Sequence, residues 1–353
     1  QATPSLHSSH GLRVAVTLRE AMPYLEIDDV TVHPAPPPGH QIYYRLFPEQ
    51  PGTEQEGDRP RVLMLMGMGG IHQVWNLQVK HLEKFCNVCA MDNRGMGYSS
   101  YPGGEWRWTT NRMALDAICV LNSLRWNERV HVVGISLGGM IAQELALEAP
   151  ERIASLTLIS TYPSALWSMP TPRALLEFGR SLGLLARDPK ERGRAALRLN
   201  FPDDWLQQSS PSDLHGGKVV THQRWVSKLT LQLFMDIPQE LRETGKKATM
   251  TAPLAVLLRQ LSAVMTHRVT HSRCERLRRR GIPISIITGT EDVLVRPLNS
   301  TILGKLFEAP VTKLAGCGHG LIHQSPNEVN ALIEAAVRAG EQQRGVRPSS
   351  SKL

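Results

Sequence analysis

Three side chains at separated points of the chain have the types that nucleophilic acyl chemistry needs: Ser136, Asp292 and His319. A serine hydroxyl of ordinary acidity attacks poorly, so it needs a base within hydrogen-bond reach, and the base needs a group to orient it. Ser136 stands in Gly134-Ile-Ser-Leu-Gly138, a G-x-S-x-G turn. An apolar, β-branched run ends at Gly134, and a helix-period run from Leu137 to Glu148 follows. A serine on a tight strand-to-helix turn sits in strained backbone, where side chains two positions either side would collide. Gly134 and Gly138 remove those side chains, and Gly139 lets the helix pack close to the sheet. The turn aims the Leu137 N–H and the helix N-terminus at negative charge forming on a bound carbonyl.

The other two residues follow in order. Gly289-Thr-Glu-Asp292 closes the apolar run Ile282–Thr288, which puts Asp292 on the loop at a strand's carboxyl end. Gly316-Cys-Gly-His-Gly320 follows the last strand and carries His319 on a glycine loop. Glu291 is a rival acid and His323 a rival base, but the G-x-x-D spacing carries Asp292 past the strand end, and His323 lies where the chain turns helical. Asp116, in a helix, reads as a surface or packing residue. A second oxyanion donor is expected from Gly67-Met68-Gly69-Gly70 after the strand Arg61–Met66, with the Met68 N–H as the group. The same glycines lack the lysine of a phosphate-binding loop and the spaced third glycine of a dinucleotide site.

The elements that must position these residues alternate. Strands are expected at Tyr24–Val32, Gln41–Phe47, Arg61–Met66, Phe85–Met91, up to Gly134, Ile153–Ile159, Ile282–Thr288 and Val311–Leu314. Helices are expected at Trp75–Lys84, Thr109–Trp126, Leu137–Glu148 and Pro326–Arg338. This is a doubly wound, mostly parallel α/β sheet whose strand ends collect the site. From Tyr162 to His267 the rhythm turns helical, at Ala174–Ala186, Val219–Phe234 and Leu254–Thr266. The organisation read from this is a lead-in over 1–23, a core over 24–161 and 268–339, a helical cap over 162–267 and a flexible tail over 340–353.

At this point the sequence resembles the α/β-hydrolase superfamily, in its capped serine-hydrolase branch. The residues that carry the resemblance are Met66-Gly-Met-Gly-Gly70, Asp92-Asn-Arg-Gly-x-Gly-x-Ser99, Gly134-Ile-Ser-Leu-Gly-Gly-Met-Ile-Ala-Gln143, Gly289-x-x-Asp292 and Gly316-x-Gly-His319. The oxyanion loop opens Met66-Gly67 where the family commonly has His-Gly. The resemblance implies a Ser136–His319–Asp292 triad, Asp92–Ser99 as a structural turn bordering the site, and a cap lining the acyl pocket. Relatives with epoxide hydrolase or dehalogenase chemistry use an aspartate nucleophile, which Ser136 argues against. The expected activity is hydrolysis of a carboxylic ester, lactone or thioester through an acyl-enzyme, with no metal or organic cofactor. The alternatives on the same triad are acyl transfer, carbon–carbon bond hydrolysis, or ligand binding without turnover.

Composition narrows the partners. The 353 residues are 41% apolar and 20% charged, and no uninterrupted apolar run reaches the ~18–20 residues that span a bilayer. The net charge of +8 gathers in Arg173–Arg198 and Arg268–Arg280 without interleaved aromatics or a reading helix. That argues against nucleic acid and for solvated helix faces, or for attraction of an anionic, lipid-like substrate such as a CoA ester. Five cysteines, an odd number, fit a reducing compartment, and Cys86-x-x-Cys89 reads as buried strand cysteines. Ser351-Lys352-Leu353 matches the peroxisomal address, so an import receptor is the expected partner and the peroxisome the expected location, with the cytoplasm as the alternative. Where Leu353 is the natural terminus, deleting the three residues from an N-terminally tagged protein should move it from punctate organelles to the cytosol, with stability and turnover unchanged. A full-length protein already cytosolic in its native cell would assign the tripeptide to chance.

Overall fold

Apolar runs buried on both faces become the strands of one sheet, and the amphipathic runs between them become its covering helices. In the computed structural model the described residues are 24–26, 40–48, 59–101, 106–165, 169–186, 188–210, 220–235 and 253–343. The expected lead-in over 1–23 and the tripeptide Ser351-Lys352-Leu353 lie outside them. The strands are β1 (Tyr24–Glu26), β2 (Gln41–Phe47), β3 (Arg61–Leu65), β4 (Asn87–Met91), β5 (Val130–Ile135) and β6 (Ile153–Ile159). After them come β7 (Ser209–Ser210), β8 (Val220–Thr221), β9 (Ile284–Gly289) and β10 (Val311–Leu314). Eight of them form one sheet in the order β1-β2-β4-β3-β5-β6-β9-β10. The pairs β1·β2 and β2·β4 at one edge are antiparallel, and the other five pairs run parallel. The pairing β7·β8 is a separate two-residue antiparallel ladder inside the cap.

Strand β5 is buried at every position, and the helix Leu137–Glu148 at all but Glu148. A helix apolar on all sides belongs in a core, so β5 and this helix form the molecule's centre. The helix Thr110–Ser123 packs beside it, started by the Thr109 hydroxyl, which accepts the Arg112 N–H at 3.2 Å. Such a cap is worth ~1 kcal/mol.

Several boundaries differ from the sequence reading for visible reasons. The helix expected from Trp75 begins as a tight turn at His72–Trp75 and continues over Asn76–Leu82. The cap helix expected to reach Ala186 covers Pro172–Ser181, because the chain reverses at Gly183, whose φ of 78° ends it. Helices at Pro189–Asn200 and Pro297–Phe307 add to those anticipated. The closing helix runs past Arg338 to Gln342, since Glu341 is tied to the Arg129 guanidinium at 2.6 Å and to His131 Nε2 at 3.0 Å. Asp116 is a packing residue rather than a surface one. It is buried, with two Arg94 N–H groups donating to it at 2.7 and 2.6 Å. Burial alone would raise its pKa, but the Arg94 guanidinium and His40 together hold it below the ordinary carboxylate range.

Within the second arginine run Arg273 is a tether, while Arg268, Arg276, Arg279 and Arg280 are exposed, as expected of a solvated face. Arg273 forks onto buried Glu144 of the central helix at 3.0 and 2.7 Å. Beside it the two strands of chain that enter and leave the cap pair through a Ser164–Arg268 bridge and a Val269 N–H to Pro163 carbonyl bond. His267 lies buried at this exit with its Nδ1 against the Thr110 hydroxyl at 2.9 Å. Burial, and then the Arg273 charge, push its pKa down to about 3. An imidazole in the unfolded chain titrates near ~6.5, so between these values the unfolded state binds the extra proton. The stability contributed by neutral His267 is complete above pH ~6.5 and is lost as the pH falls toward 3. Acidification from pH 7 to pH 5 should therefore lower Tm, and His267→Gln should lose less over the same interval. Equal losses in the two proteins would remove His267 from the account.

Candidate active site

Ser136 occupies the turn between β5 and the central helix at φ 53° and ψ −120°, a left-handed conformation that a serine adopts only under constraint. The constraint is close approach on three sides, by backbone on two and by the Thr161 side chain on the third. A Cβ on Gly134 would lie 2.3 Å from the Gly138 carbonyl oxygen, one on Gly138 would lie 2.0 Å from the Leu65 carbonyl oxygen, and one on Gly139 would lie 2.7 Å from Thr161 Cβ. The turn is then bonded in place. The Ser136 N–H donates to the Ile159 carbonyl at 2.9 Å, and the Thr161 hydroxyl donates to the Ser136 carbonyl at 2.8 Å.

The acid and base meet as their positions at strand ends suggest. Asp292, on the loop after β9, accepts the Leu294 and Val295 N–H groups on Oδ1 at 3.0 and 2.8 Å, leaving Oδ2 for His319 Nδ1 at 2.8 Å. With Nδ1–H donating to the carboxylate, the His319 lone pair is on Nε2. Glu291 is exposed, and its backbone N–H, not its carboxylate, is used, donating to the Cys317 carbonyl. His323 is buried elsewhere, in the short helix Leu321–Gln324, and burial pushes its pKa down to about 4. Ser136 and His319 share no hydrogen bond. The turns that carry them, and the loop with Met68, all leave the carboxyl ends of parallel strands on the same sheet edge.

The loop after β3 touches the serine directly, since a Cβ on Gly67 would sit 3.2 Å from Ser136 Cβ and 3.8 Å from its Oγ. Among the described residues, neither the Met68 nor the Leu137 N–H donates to a protein acceptor. The Asn93 side-chain amide holds the Met66 carbonyl at 2.8 Å, and Gly70 N–H closes the turn onto the Gly67 carbonyl at 3.2 Å. The Asp92–Ser99 segment is tied beneath. Buried Asp92 accepts the His72 N–H, the His72 ring and the Tyr98 N–H at 2.7, 2.9 and 3.0 Å. One residue escaped the sequence reading: Gln260, in the cap helix Leu254–Thr266, accepts the Gly69 N–H on Oε1 at 3.0 Å. Flanked by Arg259 and Leu261, it carries no spacing signal that would single it out.

All five cysteines are buried and unbridged, and burial raises every thiol pKa, those of Cys86 and Cys119 to about 12. None is a thiolate at neutral pH. Among the described residues no group of three or more His, Cys, Asp or Glu side chains is arranged to hold a metal ion. No helix there is long and apolar enough to cross a membrane.

A family model described as alpha/beta hydrolase fold matches residues 60–326. The chain belongs to that family. This α/β-hydrolase is 26% identical over 278 residues to a Caulobacter vibrioides protein provisionally named carbamate hydrolase RutD, covering 78% of this chain and 89% of the relative. A Pseudomonas syringae protein of the same name is 30% identical over 160 residues, 44% of this chain and 58% of the relative, so the chain spans little more than half of that relative's length. The crystal structure of an enol-lactonase from Burkholderia xenovorans superposes with a TM-score of 0.63 at 18% identity, covering 90% of this chain and all of that one, and shows the shared fold.

The elbow of this hydrolase gives a packing test. Gly138→Ala drives a methyl group into the Leu65 carbonyl and should destabilise the fold by about 3 kcal/mol or more. Gly193→Ala, in the helix Pro189–Asn200 with nothing within 4 Å, should stabilise it by about 0.5–1 kcal/mol. Denaturant midpoints measure both, and a tolerated Gly138→Ala would contradict the packing described for the turn.

Proposed function

We propose that this α/β-hydrolase cleaves a carboxylic ester, lactone or thioester through an acyl-enzyme on Ser136. The observation that carries the reading is the hydrogen-bonded His319–Asp292 pair, placed on the same sheet edge as the strained Ser136 turn. In the reaction Ser136 Oγ attacks the carbonyl carbon as its proton passes to His319 Nε2. The carbonyl π electrons move to oxygen, where the unpaired Met68 and Leu137 N–H groups receive the charge. Collapse of the tetrahedral intermediate expels the leaving group, which takes the proton from His319. Water then attacks the acyl carbon, gives its proton to His319, and the proton returns to Ser136 Oγ as the acid leaves. Asp292 holds the imidazole in the Nδ1–H form and stabilises its charged state. The Ser136–His319 hydrogen bond is made in the substrate complex, as such bonds often tighten only there.

A carbamate is a second reading, favoured by the name that the Caulobacter vibrioides and Pseudomonas syringae relatives carry. Its carbonyl carbon bears both oxygen and nitrogen, and attack by Ser136 would pass through the same oxyanion with an amine or an alcohol leaving. The small-molecule pocket would lie between the sheet edge and the cap, and the excess of positive charge supports an anionic acyl substrate such as a CoA ester.

Turnover screening over esters, lactones, acyl-CoAs of graded length and carbamates distinguishes the substrates, and steady-state turnover separates an enzyme from a binding protein. A serine-reactive phosphonate should label Ser136, and Ser136→Ala should lower kcat by ~10⁴–10⁶. Asp292→Asn should cost ~10³–10⁴ with the fold intact, while Glu291→Gln and His323→Gln should be far milder. Near-normal turnover by Ser136→Ala, or the larger loss at Glu291 or His323, would defeat the assignment.

A further inference from the structure

The loop proposed to carry the second oxyanion donor is held by the cap as well as by the core. The cap helix Leu254–Thr266 lies on it, with Leu257 Cδ2 only 3.4 Å from where a Gly69 Cβ would be. The next contact along the same helix is Val256, whose methyl group comes within 2.9 Å of the corresponding position on Gly95. One turn further along, the fully buried Gln260 side chain accepts the Gly69 N–H. This bond joins residues 191 positions apart.

The Gln260 amide is oriented by its partner. Gly69 offers a donor, so the oxygen of the amide must face it and both N–H groups of Nε2 point away. Among the described residues Nε2 is buried and meets no acceptor. A contact that served only to seat the helix would be made at lower cost by an apolar side chain, since a buried amide with unmatched donors gives back what its one hydrogen bond contributes. What the amide supplies, and an apolar residue cannot, is a fixed acceptor for one peptide. The Met68–Gly69 peptide is free to rotate where Gly69, at φ 73°, allows more than one orientation. Anchoring its N–H holds the turn Gly67–Gly70 in addition to the Asn93 bond to the Met66 carbonyl.

We propose that Gln260 is a positioning residue for the reaction at Ser136. Its amide oxygen holds the Met68–Gly69 peptide, and through it the Met68 N–H, in the orientation that a developing oxyanion needs. The cap therefore sets one of the two oxyanion donors, and closure of the cap helix onto the core completes the hole. This inference rests on Ser136 as the nucleophile and Met68 as a donor.

Two substitutions separate the acceptor from the bulk of the side chain. Gln260→Met keeps the length and removes the acceptor. Gln260→Glu keeps an oxygen for the Gly69 N–H. With whichever substrate the wild-type enzyme turns over, Gln260→Met should lower kcat about ten- to hundredfold with KM changed less than about threefold, because a donor displaced from the transition state is missed only there. Affinity for a trifluoromethyl ketone that forms a hemiketal with Ser136 should fall by the same factor, while affinity for the product acid stays within about threefold. Gln260→Glu should recover at least half of the lost logarithm of kcat. A Gln260→Met protein that keeps wild-type kcat and ketone affinity overturns the proposal, as does a loss that Gln260→Glu shares in full.

The wild-type protein gives an independent arm should either variant fail to fold. Forming the trifluoromethyl ketone adduct should slow hydrogen exchange of the Gly69 amide at least tenfold and protect the peptide that contains Gln260 as well. Unchanged exchange at Gly69 in the adduct overturns the proposal. Failure of the underlying mechanism looks different, because then the ketone forms no adduct and Ser136→Ala retains turnover whatever Gln260 does.

Discussion

The structure depends on one close approach, where the backbones of β3, β5 and the central helix meet with no side chain between them. Gly134 faces Gly138, and Gly138 faces the carbonyl of Leu65, at separations that exclude even a methyl group. Ser136 is forced to positive φ in that space, at a cost of about 1–3 kcal/mol. The opposing term is larger. Leu137, Met140, Ile141 and Leu145 of the helix that follows are buried to 1% exposure or less, and each contributes about 1.5–3 kcal/mol by leaving water. Strain at one residue is therefore carried easily by the helix it launches. The same helix, being buried, has no freedom to relax the turn.

Polar groups below the sheet edge do for the loops what the glycines do for the turn. Asp92 gathers three N–H donors from His72 and Tyr98, and the Ser99 hydroxyl takes the Asp92 carbonyl at 2.7 Å. Gly97 is needed beside it because a Cβ there would fall 2.2 Å from the Asp92 carboxylate. Next to this, Arg94 reaches back to Asp116 on the helix Thr110–Ser123 and lies over the Trp108 ring. Removing either partner of such a buried pair leaves an unmatched charge costing about 3–5 kcal/mol, far more than the pair itself is worth. The network fixes which loop conformation is native more than how stable it is.

What the sequence made legible was local. Ser136, Gly134, Gly138 and Gly139 sit within six residues and share one steric purpose, so spacing reveals them. Asp292 and His319 are visible because each follows a strand, and parallel strands deliver their carboxyl ends to one edge. The partners that lie far apart in the chain were hidden. Asp116 looked like a packing or surface acid because Arg94 sits 22 positions away on a turn. Gln260 drew no reading at all, because its partner sits 191 positions away. The helix Pro297–Phe307 escaped for a related reason: its first turns bury Asn299 and Ser300, so its apolar period is broken where a sequence pattern would have to begin. Hydrogen-bond complementarity between distant residues leaves no periodic mark.

The cap and the serine turn share an anchor. Glu144, two turns along the helix that Ser136 launches, receives Arg273, and Tyr162 at the cap's entry hydrogen-bonds the Val264 carbonyl at its exit. The tethers that fix where the cap starts and stops are thus referenced to the element that holds the serine. The forward end of the cap is referenced to the loops instead, through Gln260 on Gly69 and the Asn200 carbonyl on the Gly320 N–H at 2.7 Å. A cap fixed at one end to the helix that follows Ser136, and at the other to the loops that carry Met68 and His319, cannot shift without shifting those loops. Between those two fixed ends, cap side chains that make none of these contacts are free to differ without moving either end. A hydrolase built this way can vary those side chains while the turns that carry Ser136, Asp292 and His319 stay in place.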